Sequence, residues 1–456
     1  MKIFLKLTVA LFICVLLPAT EVDLFASPLN ATIPESFYGN SISMAPSDKN
    51  EKGVRGPVTG WRLYWEDGYL TIENRKASIY FLINGQVIAD AGYIDVDEAL
   101  EDAFPDLTGG NALFRKLNIS TYGNFYDTVD FRIGVDFANV RDIQDIWIRY
   151  IKHPYLKNIK IGNMKEPFSM EYLTSITRLT FMERSLPDVA FGSGRNIGIR
   201  YDSQDNSKPV NFGLGLFLNT GSFSDFGEAQ NQISEANGFD TTLRVFGLPR
   251  YKEGGKKLLH LGLGYSHGVR DENHTSSAME FRSRPESRLT DERLVDTGPI
   301  IGASQNLATA ELALVSGPWS FQTQGYYLVL DADEADDPHF WGYYALLSHF
   351  LTGQSRRYNQ ALGIFTGVEP QPVFKPSEGH WGAWELALRH SYVDLNGGNV
   401  KGGRESNITA GLNWIHSRNA RLMFNYIHAR VKDRGTTPAI DDETAHIFQV
   451  RVQFVW

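Results

Sequence analysis

Apolar and polar residues alternate with a period of two along much of the chain, which predicts β-strands rather than helices. At the C-terminus, Phe448, Val450 and Phe454 fall on one face, and Gln449 and Arg451 fall on the other. The same alternation recurs in sixteen segments, at residues 78–90, 111–123, 126–138, 143–152, 157–164, 194–204, 209–220, 238–248, 257–269, 303–316, 318–331, 339–352, 381–394, 404–416, 419–430 and 445–456. The sequence therefore predicts an all-β fold.

The length and composition of these strands distinguish two kinds of all-β protein. A soluble β-sandwich also alternates, but its water-facing sides would carry Lys, Glu and Thr on short strands. Here aromatic residues gather near the ends of long strands, as they do in the girdles of an outer-membrane barrel. The strand number is even, and short and long connections alternate, apart from a long segment at 353–380 on the side of the short turns. We therefore expect a transmembrane antiparallel β-barrel, of about 16 strands and surrounded by outer-membrane lipid.

Residues 1–26 have the pattern of a secretory signal peptide, because Lys2 and Lys6 precede the apolar stretch 7–17. That stretch is shorter than the roughly 20 residues that a spanning helix needs. The single cysteine of the chain, Cys14, lies within it. We therefore expect a mature protein without thiol nucleophiles, disulfides or cysteine-bound metals.

The remaining chain divides into two parts. Residues 27–77 are polar and rich in Pro, Ser, Gly and Asn, which indicates a linker, and 61–74 could form a small hairpin. Residues 78–456 are assigned to the barrel.

Composition and charge exclude several functions. The chain has 456 residues, with 53 acidic against 44 basic side chains and a net charge of -9, which disfavours nucleic-acid binding. Its His, Asp and Glu residues show no metal-ligand spacing, so neither a metal nor another cofactor is expected. An outer-membrane hydrolase is a less favoured alternative, because His390, His416 and His428 are scattered along the chain.

The most informative polar cluster is basic. Arg282, Arg284 and Arg288 crowd into the long connection 270–302, which also contains several carboxylates. Two interpretations remain open at this point. The arginines could make stepwise contacts with a passing anion, or the connection could be a solvated loop that pairs its own charges.

Two further basic groups lie elsewhere. Arg115 and Lys116 are adjacent in the second predicted strand, so they can both face the interior only if a β-bulge intervenes. Arg184 lies in the connection 165–191, which is long enough to fold into the barrel and narrow it. Without such a constriction, a sixteen-stranded barrel leaves a wide aqueous channel.

Several motifs resemble one known family. They are IKIGNMKEPFSMEYLTS at 159–175, FMERSLPDVAFGSGRNIGIRYD at 181–202, FRSRPESRL at 281–289, GAWELALRHSYVDLN at 382–396, GLNWIHSRNARLMFNYIHARV at 411–431 and the closing FQVRVQFVW. Together they resemble the phosphate-selective porin O and P family. The resemblance implies a trimeric outer-membrane barrel with an inward-folded constriction loop, and a ladder of arginines leading to a basic constriction.

The resemblance also implies roles for individual residues. Arg282, Arg284 and Arg288 would be ladder residues. Arg115, Lys116 and Arg184 would lie near the constriction, with Asp145 as an acidic neighbour. Gln86 and Tyr172 stand where phosphate-selective members carry basic side chains, so strict phosphate selectivity does not follow from the resemblance.

The expected function is passive diffusion through the bacterial outer membrane, without catalysis. Small hydrophilic solutes would pass with a bias towards inorganic anions, in particular phosphate-like oxyanions. Arginine suits this role because its charge persists at neutral pH and its planar fork binds oxyanions with two hydrogen bonds. A general porin with weak selectivity is the alternative that the net charge and Gln86 favour.

Overall fold

A computed structural model of the chain describes residues 54–55, 60–66, 69–138, 142–152, 158–219, 238–270 and 278–456. The expected signal peptide and most of the expected linker lie outside these residues. Within the described part of the chain, no helix is both long enough and apolar enough to cross a membrane.

Strands dominate the described residues. In chain order they are β1 (Val54–Arg55), β2 (Trp61–Glu66), β3 (Tyr69–Asn74), β4 (Ile79–Val96), β5 (Gly109–Phe125), β6 (Val129–Asp136), β7 (Asp142–Tyr150), β8 (Ile159–Lys165), β9 (Arg195–Asp202), β10 (Val210–Leu218), β11 (Gly238–Lys252), β12 (Lys257–Arg270), β13 (Arg282–Ser283), β14 (Val295–Asp296), β15 (Ser304–Ser316), β16 (Trp319–Asp331), β17 (His339–Phe350), β18 (Arg357–Asn359), β19 (Ile364–Thr366), β20 (Ala383–Gly397), β21 (Val400–Ile415), β22 (Ala420–Arg434) and β23 (Ile440–Val455). The helices are α1 (Glu98–Ala103), α2 (Met170–Leu173) and α3 (Leu186–Phe191), with 3-10 turns at Arg75–Ala77, Ile176–Arg178, Glu253–Gly255, Asp333–Ala335 and Pro376–Glu378.

Sixteen of the strands form one closed antiparallel barrel, which confirms the predicted fold. They are β4–β12, β15–β17 and β20–β23, each paired with its neighbour along the chain. The last strand, β23, pairs with β4 and closes the barrel. Outside the barrel, β2 and β3 form a hairpin that pairs with the first residues of β4.

Each of the sixteen predicted segments overlaps one barrel strand, but the last connection differs from expectation. The sequence predicts a long loop at 431–444, whereas β22 continues to Arg434 and β23 begins at Ile440. Arg430 and Lys432 on β22 pair with Asp442 on β23 in this region. Alternation disappears where both faces of a strand meet water, so hydrophobic pattern alone misses such an extension.

The seam of the barrel depends on a close approach between Gly85 and Trp456. Their backbones exchange two hydrogen bonds of 3.0 Å. A Cβ atom at Gly85 would lie 2.0 Å from Cζ2 of the Trp456 ring. Only glycine therefore leaves room for the terminal indole, which covers the seam.

The two faces of each barrel strand differ as predicted. On β10 the exposed outer residues are Val210, Phe212, Leu214, Leu216 and Leu218. Asn211 and Phe217, on the inner face of the same strand, are buried. The outer surface therefore carries the apolar side chains that lipid requires.

Leu214→Arg is expected to impair assembly of the barrel, because a charge on the lipid face near the bilayer midplane costs about 2–4 kcal/mol. Leu214→Phe, which keeps the position apolar, is the matched control and should assemble like the original protein. The measurement is the fraction of heat-modifiable barrel after refolding into lipid vesicles. Equal fractions for the two variants would contradict the assigned lipid face.

Candidate functional site: the lumen

A cavity of about 820 Å³ lies inside the barrel, mainly along the wall formed by β4–β9. Its basic lining residues are Arg115, Lys116, Arg132, Arg149, Lys160, Lys165, Arg184, Arg195, Arg200, Arg282, Arg284, Arg288 and Arg293. Its acidic lining residues are Asp136, Asp145, Glu183, Asp188, Glu280 and Glu286. The lumen is thus strongly basic although the whole chain has a net charge of -9.

The segment between β8 and β9, here called the constriction loop (residues 166–194), folds into the barrel as predicted. Phe181, Leu186 and Phe191 are buried in the core cluster that this loop shares with the inner barrel wall. Arginines of that wall bind the loop backbone. Arg421 Nη1 donates to Leu179 O at 2.7 Å, and Arg389 Nη1 donates to Glu183 O at 3.0 Å.

Glu183 is the point at which the constriction loop is clamped from two sides. Arg115 binds both of its carboxylate oxygens, at 2.6 and 3.0 Å. Arg451 binds the same carboxylate at 2.6 Å and Asp90 at 2.7 Å. Burial acts to raise the pKa of Glu183, but Arg115 and Arg451 outweigh it and hold the pKa well below its usual value. The clamp is therefore charged at neutral pH.

Residues 278–303, here called the arginine loop, also lie inside the barrel mouth. Phe281 contacts Phe191 of the constriction loop with a ring separation of 6.2 Å. Ser287 bonds Gln449 at 2.9 Å, and Glu286 bonds Arg389 at 2.6 Å. The loop is thus fixed to the barrel wall and is not a freely solvated connection.

The three predicted arginines of this loop all line the cavity, but they differ in their partners. Arg282 pairs with Glu280 at 3.1 Å, and Arg284 pairs with Asp291 at 2.5 Å. Arg288 pairs with no carboxylate among the described residues. A fourth arginine of the loop, Arg293, also lines the cavity. Two of the predicted arginines therefore pair within the loop, and Arg288 does not.

The β-bulge required by the adjacent Arg115 and Lys116 is present. Ile88 pairs with Lys116 and Ala89 pairs with Phe114, which leaves Arg115 as the extra residue. Both basic side chains consequently line the cavity. Bulges commonly redirect side chains in this way next to functional sites.

A second bulge brings Asp145 into the lumen. Ile133 pairs with Ile146 and Val135 with Ile143, so Gln144 and Asp145 lie opposite a single residue. Asp145 lies between Arg195 at 3.1 Å and Arg132 at 3.6 Å. The sequence predicts Asp145 as an acidic neighbour of the constriction but misses both arginine partners. Strand parity could have identified Arg132, because Arg132 lies on the same face of β6 as the buried residues Asp130 and Asp136.

Residues 81–456 match the family model described as phosphate-selective porin O and P. The chain belongs to this family. It is therefore a porin of the bacterial outer membrane.

Relatives of this porin include Porin O of Pseudomonas aeruginosa, 24% identical over 80% of this chain and 87% of that protein. An uncharacterised protein of Caulobacter vibrioides is 27% identical over 78% of this chain and 70% of its own length. Among solved structures, the anion-selective porin from Comamonas acidovorans has a TM-score of 0.50 at 12% identity, covering 83% of this chain and 100% of that one. The outer membrane channel DcaP of Acinetobacter baumannii has a TM-score of 0.50 at 11% identity, covering 83% and 98%. At these identities the structures support the fold alone.

Tyr172 of this porin lies between two cations. Lys165 Nζ is 4.9 Å and Arg184 Cζ is 5.1 Å from the centre of its ring. Both cations also donate to the Tyr172 carbonyl oxygen, at 2.5 and 3.2 Å. Gln86 lines the same cavity from β4, and its Oε1 has no hydrogen-bond partner within the described structure.

The long connection on the side of the short turns, residues 351–382, also enters the lumen. Its hairpin of β18 and β19 is held by Arg244, which donates to Leu362 O at 2.9 Å and Gly363 O at 2.7 Å. Tyr358 of the hairpin bonds His260 at 2.6 Å. This packing fills the half of the lumen opposite the basic wall, which explains why the open cavity follows β4–β9.

In the described part of the chain, no three His, Cys, Asp or Glu side chains lie together as a metal site.

Proposed function

We propose that this porin conducts small hydrophilic solutes with a preference for anions, including phosphate-like oxyanions. One observation carries the proposal. Arg288 and Arg293 line the cavity without an ion-paired carboxylate among the described residues. Their charge remains available to a passing ion, whereas charges that are paired within the wall are largely cancelled.

The pKa values of the two loop arginines support the proposal. Burial and the neighbouring Arg115 lower the pKa of Arg288 to about 10. Burial and Arg284 lower the pKa of Arg293 to about 10 as well. Both side chains are therefore protonated at neutral pH.

The proposed roles of the sequence-predicted residues follow from their partners. Arg288 and Lys116 would contact the anion directly, and Arg282 and Arg284 would contribute at the outer mouth. Arg115 would act mainly on the position of the constriction loop, because its charge is bound to Glu183. Arg184, Tyr172, Asp145 and Gln86 would shape the narrow region.

The reversal potential in a KCl gradient across a planar bilayer tests the proposal, and its sign should indicate chloride preference. A potential near zero would support the alternative of a general porin, which the net charge of -9 favours. Conductance without hydrolysis of ester substrates would support either kind of porin and would contradict an outer-membrane hydrolase.

Tyr172→Lys is expected to strengthen the block of chloride current by phosphate. A third cationic side chain would then stand beside Lys165 and Arg184, and a phosphate needs several donors at once. Tyr172→Leu removes the ring without adding charge and is the matched control. Phosphate titrations of single-channel current measure the effect, and Gln86→Arg should act in the same direction. Equal block in the Lys and Leu variants would show that position 172 does not contact the anion.

Three further proposals rest on the sequence and the family. Residues 1–26 would direct export and be removed, and residues 27–77 would link that signal to the barrel. Three copies of the mature chain would assemble in the membrane. Light scattering of the detergent-solubilised protein tests the trimer, with a protein mass three times that of one mature chain as the expected result.

A further inference from the structure

Trp147 has an unusual position for a tryptophan in an outer-membrane barrel, because it lines the lumen instead of the lipid-facing girdle. Strand register places it between Arg132 on β6 and Gly162 on β8. Gly162 contributes no side chain beside the indole, and Trp147 is only partly buried. Tyr122 contacts the Trp147 ring in an edge-to-face arrangement at 6.3 Å and fixes its orientation.

The indole lies beside a row of cations on three neighbouring strands. Register pairs Arg149 with Lys160 and Lys160 with Arg200. Like charges directly opposite one another are destabilising in a sheet, so such a row calls for a compensating function or partner.

The carboxylates near this row compensate it only in part. Arg149 binds Asp130. Lys160 and Arg200 share Asp202, at 3.4 and 2.7 Å. Lys160 Nζ also lies 5.2 Å from the centre of the Trp147 ring. An anionic group that binds Lys160 is therefore within reach of the indole.

We infer that Trp147 and Lys160 form a binding site for anions that carry a flat ring, such as phenyl phosphate or an aromatic carboxylate. The anionic group would contact Lys160 and Arg132, whose ion pairs with Asp202 and Asp145 are long, at 3.4 and 3.6 Å. The ring would pack against the indole. Aromatic pairs prefer offset-stacked or edge-to-face contacts, both of which a partly exposed indole allows. The inference rests on the proposed anion preference and narrows its solute class to ring-bearing organic anions.

Block of single-channel chloride current by phenyl phosphate, compared with inorganic phosphate, tests this site. The half-blocking concentration of phenyl phosphate should be about fivefold lower than that of phosphate, since one aromatic contact supplies a gain of this order. Trp147→Leu should abolish the difference and leave the phosphate block itself in place. Trp147→Phe should retain most of it.

Trp341→Leu is the matched control, because Trp341 is exposed on the outer face of the barrel, and it should keep the original ratio of the two blocking concentrations. Equal block by the two compounds in the original protein, or an unchanged ratio in Trp147→Leu, would overturn the inference. The reversal potential is measured without phenyl phosphate. A lack of anion preference is therefore detected separately from a lack of the aromatic site.

Discussion

Arg451→Met is expected to destabilise the barrel by about 3–5 kcal/mol, because removing one partner of a buried ion pair leaves uncompensated charge. Arg451 is fully buried and binds Asp90, Glu183 and the Met182 carbonyl. Those contacts join the barrel wall to the constriction loop. Single-channel conductance should therefore rise in the folded variant as the loop loses its clamp. Urea unfolding in lipid vesicles measures the first effect, and bilayer recording measures the second.

A double variant separates stability from channel width. Asp90→Asn, combined with Arg451→Met, removes Asp90 together with its buried partner, whereas Glu183 keeps its ion pair with Arg115. Stability should recover in part, because no unpaired charge remains among these four residues. Conductance should stay high, because Arg451 no longer holds the constriction loop. If the folded Arg451→Met protein conducts like the original, the loop is held sufficiently by other contacts, such as Arg421 with Leu179 O.

The barrel could be predicted from sequence because its signal is local. Alternation with a period of two identifies each strand and assigns its faces, as on β10. The same rule showed that Arg115 and Lys116 can both face the lumen only if a bulge intervenes, and the strand has a bulge there. Both ends of the last connection, at 431 and 444, were predicted wrongly, because alternation ends where the strands leave the apolar band.

The electrostatics of the lumen could not be predicted in the same way, because they depend on distant partners. Arg115 is bound to Glu183, 68 positions away, and Arg451 to Asp90, 361 positions away. Sequence pattern places Arg451 on the inner face, and Arg115 only if a bulge intervenes, but it does not show which charge is cancelled. The contribution of Arg195 depends likewise on a bulge in β7 that brings Asp145 beside it.

This difference between paired and unpaired cations leads to a test of selectivity. The net charge of -9 is a weak guide, since charges on outer loops are screened beyond a Debye length of about 8 Å. A lining cation about 4 Å from the ion interacts at roughly 4 kcal/mol for an effective dielectric near 20, before desolvation is subtracted. A few unpaired lining cations therefore outweigh many surface carboxylates.

Arg288→Gln with Arg293→Gln is expected to move the reversal potential strongly towards cation preference. Arg282→Gln with Arg284→Gln removes the same amount of charge and is expected to move it less. Arg282 and Arg284 are already paired with Glu280 and Asp291, and the Asp291 side chain is 95% exposed, so solvent screens the carboxylate that is left behind. Arg288 and Arg293 have no such carboxylate partner among the described residues, so their loss removes uncompensated positive potential from the lumen. Reversal potentials of both double variants in the same KCl gradient give the comparison. Equal shifts would mean that local pairing does not decide which cations attract the ion, and a larger shift for Arg282 and Arg284 would mean that the paired arginines dominate selectivity.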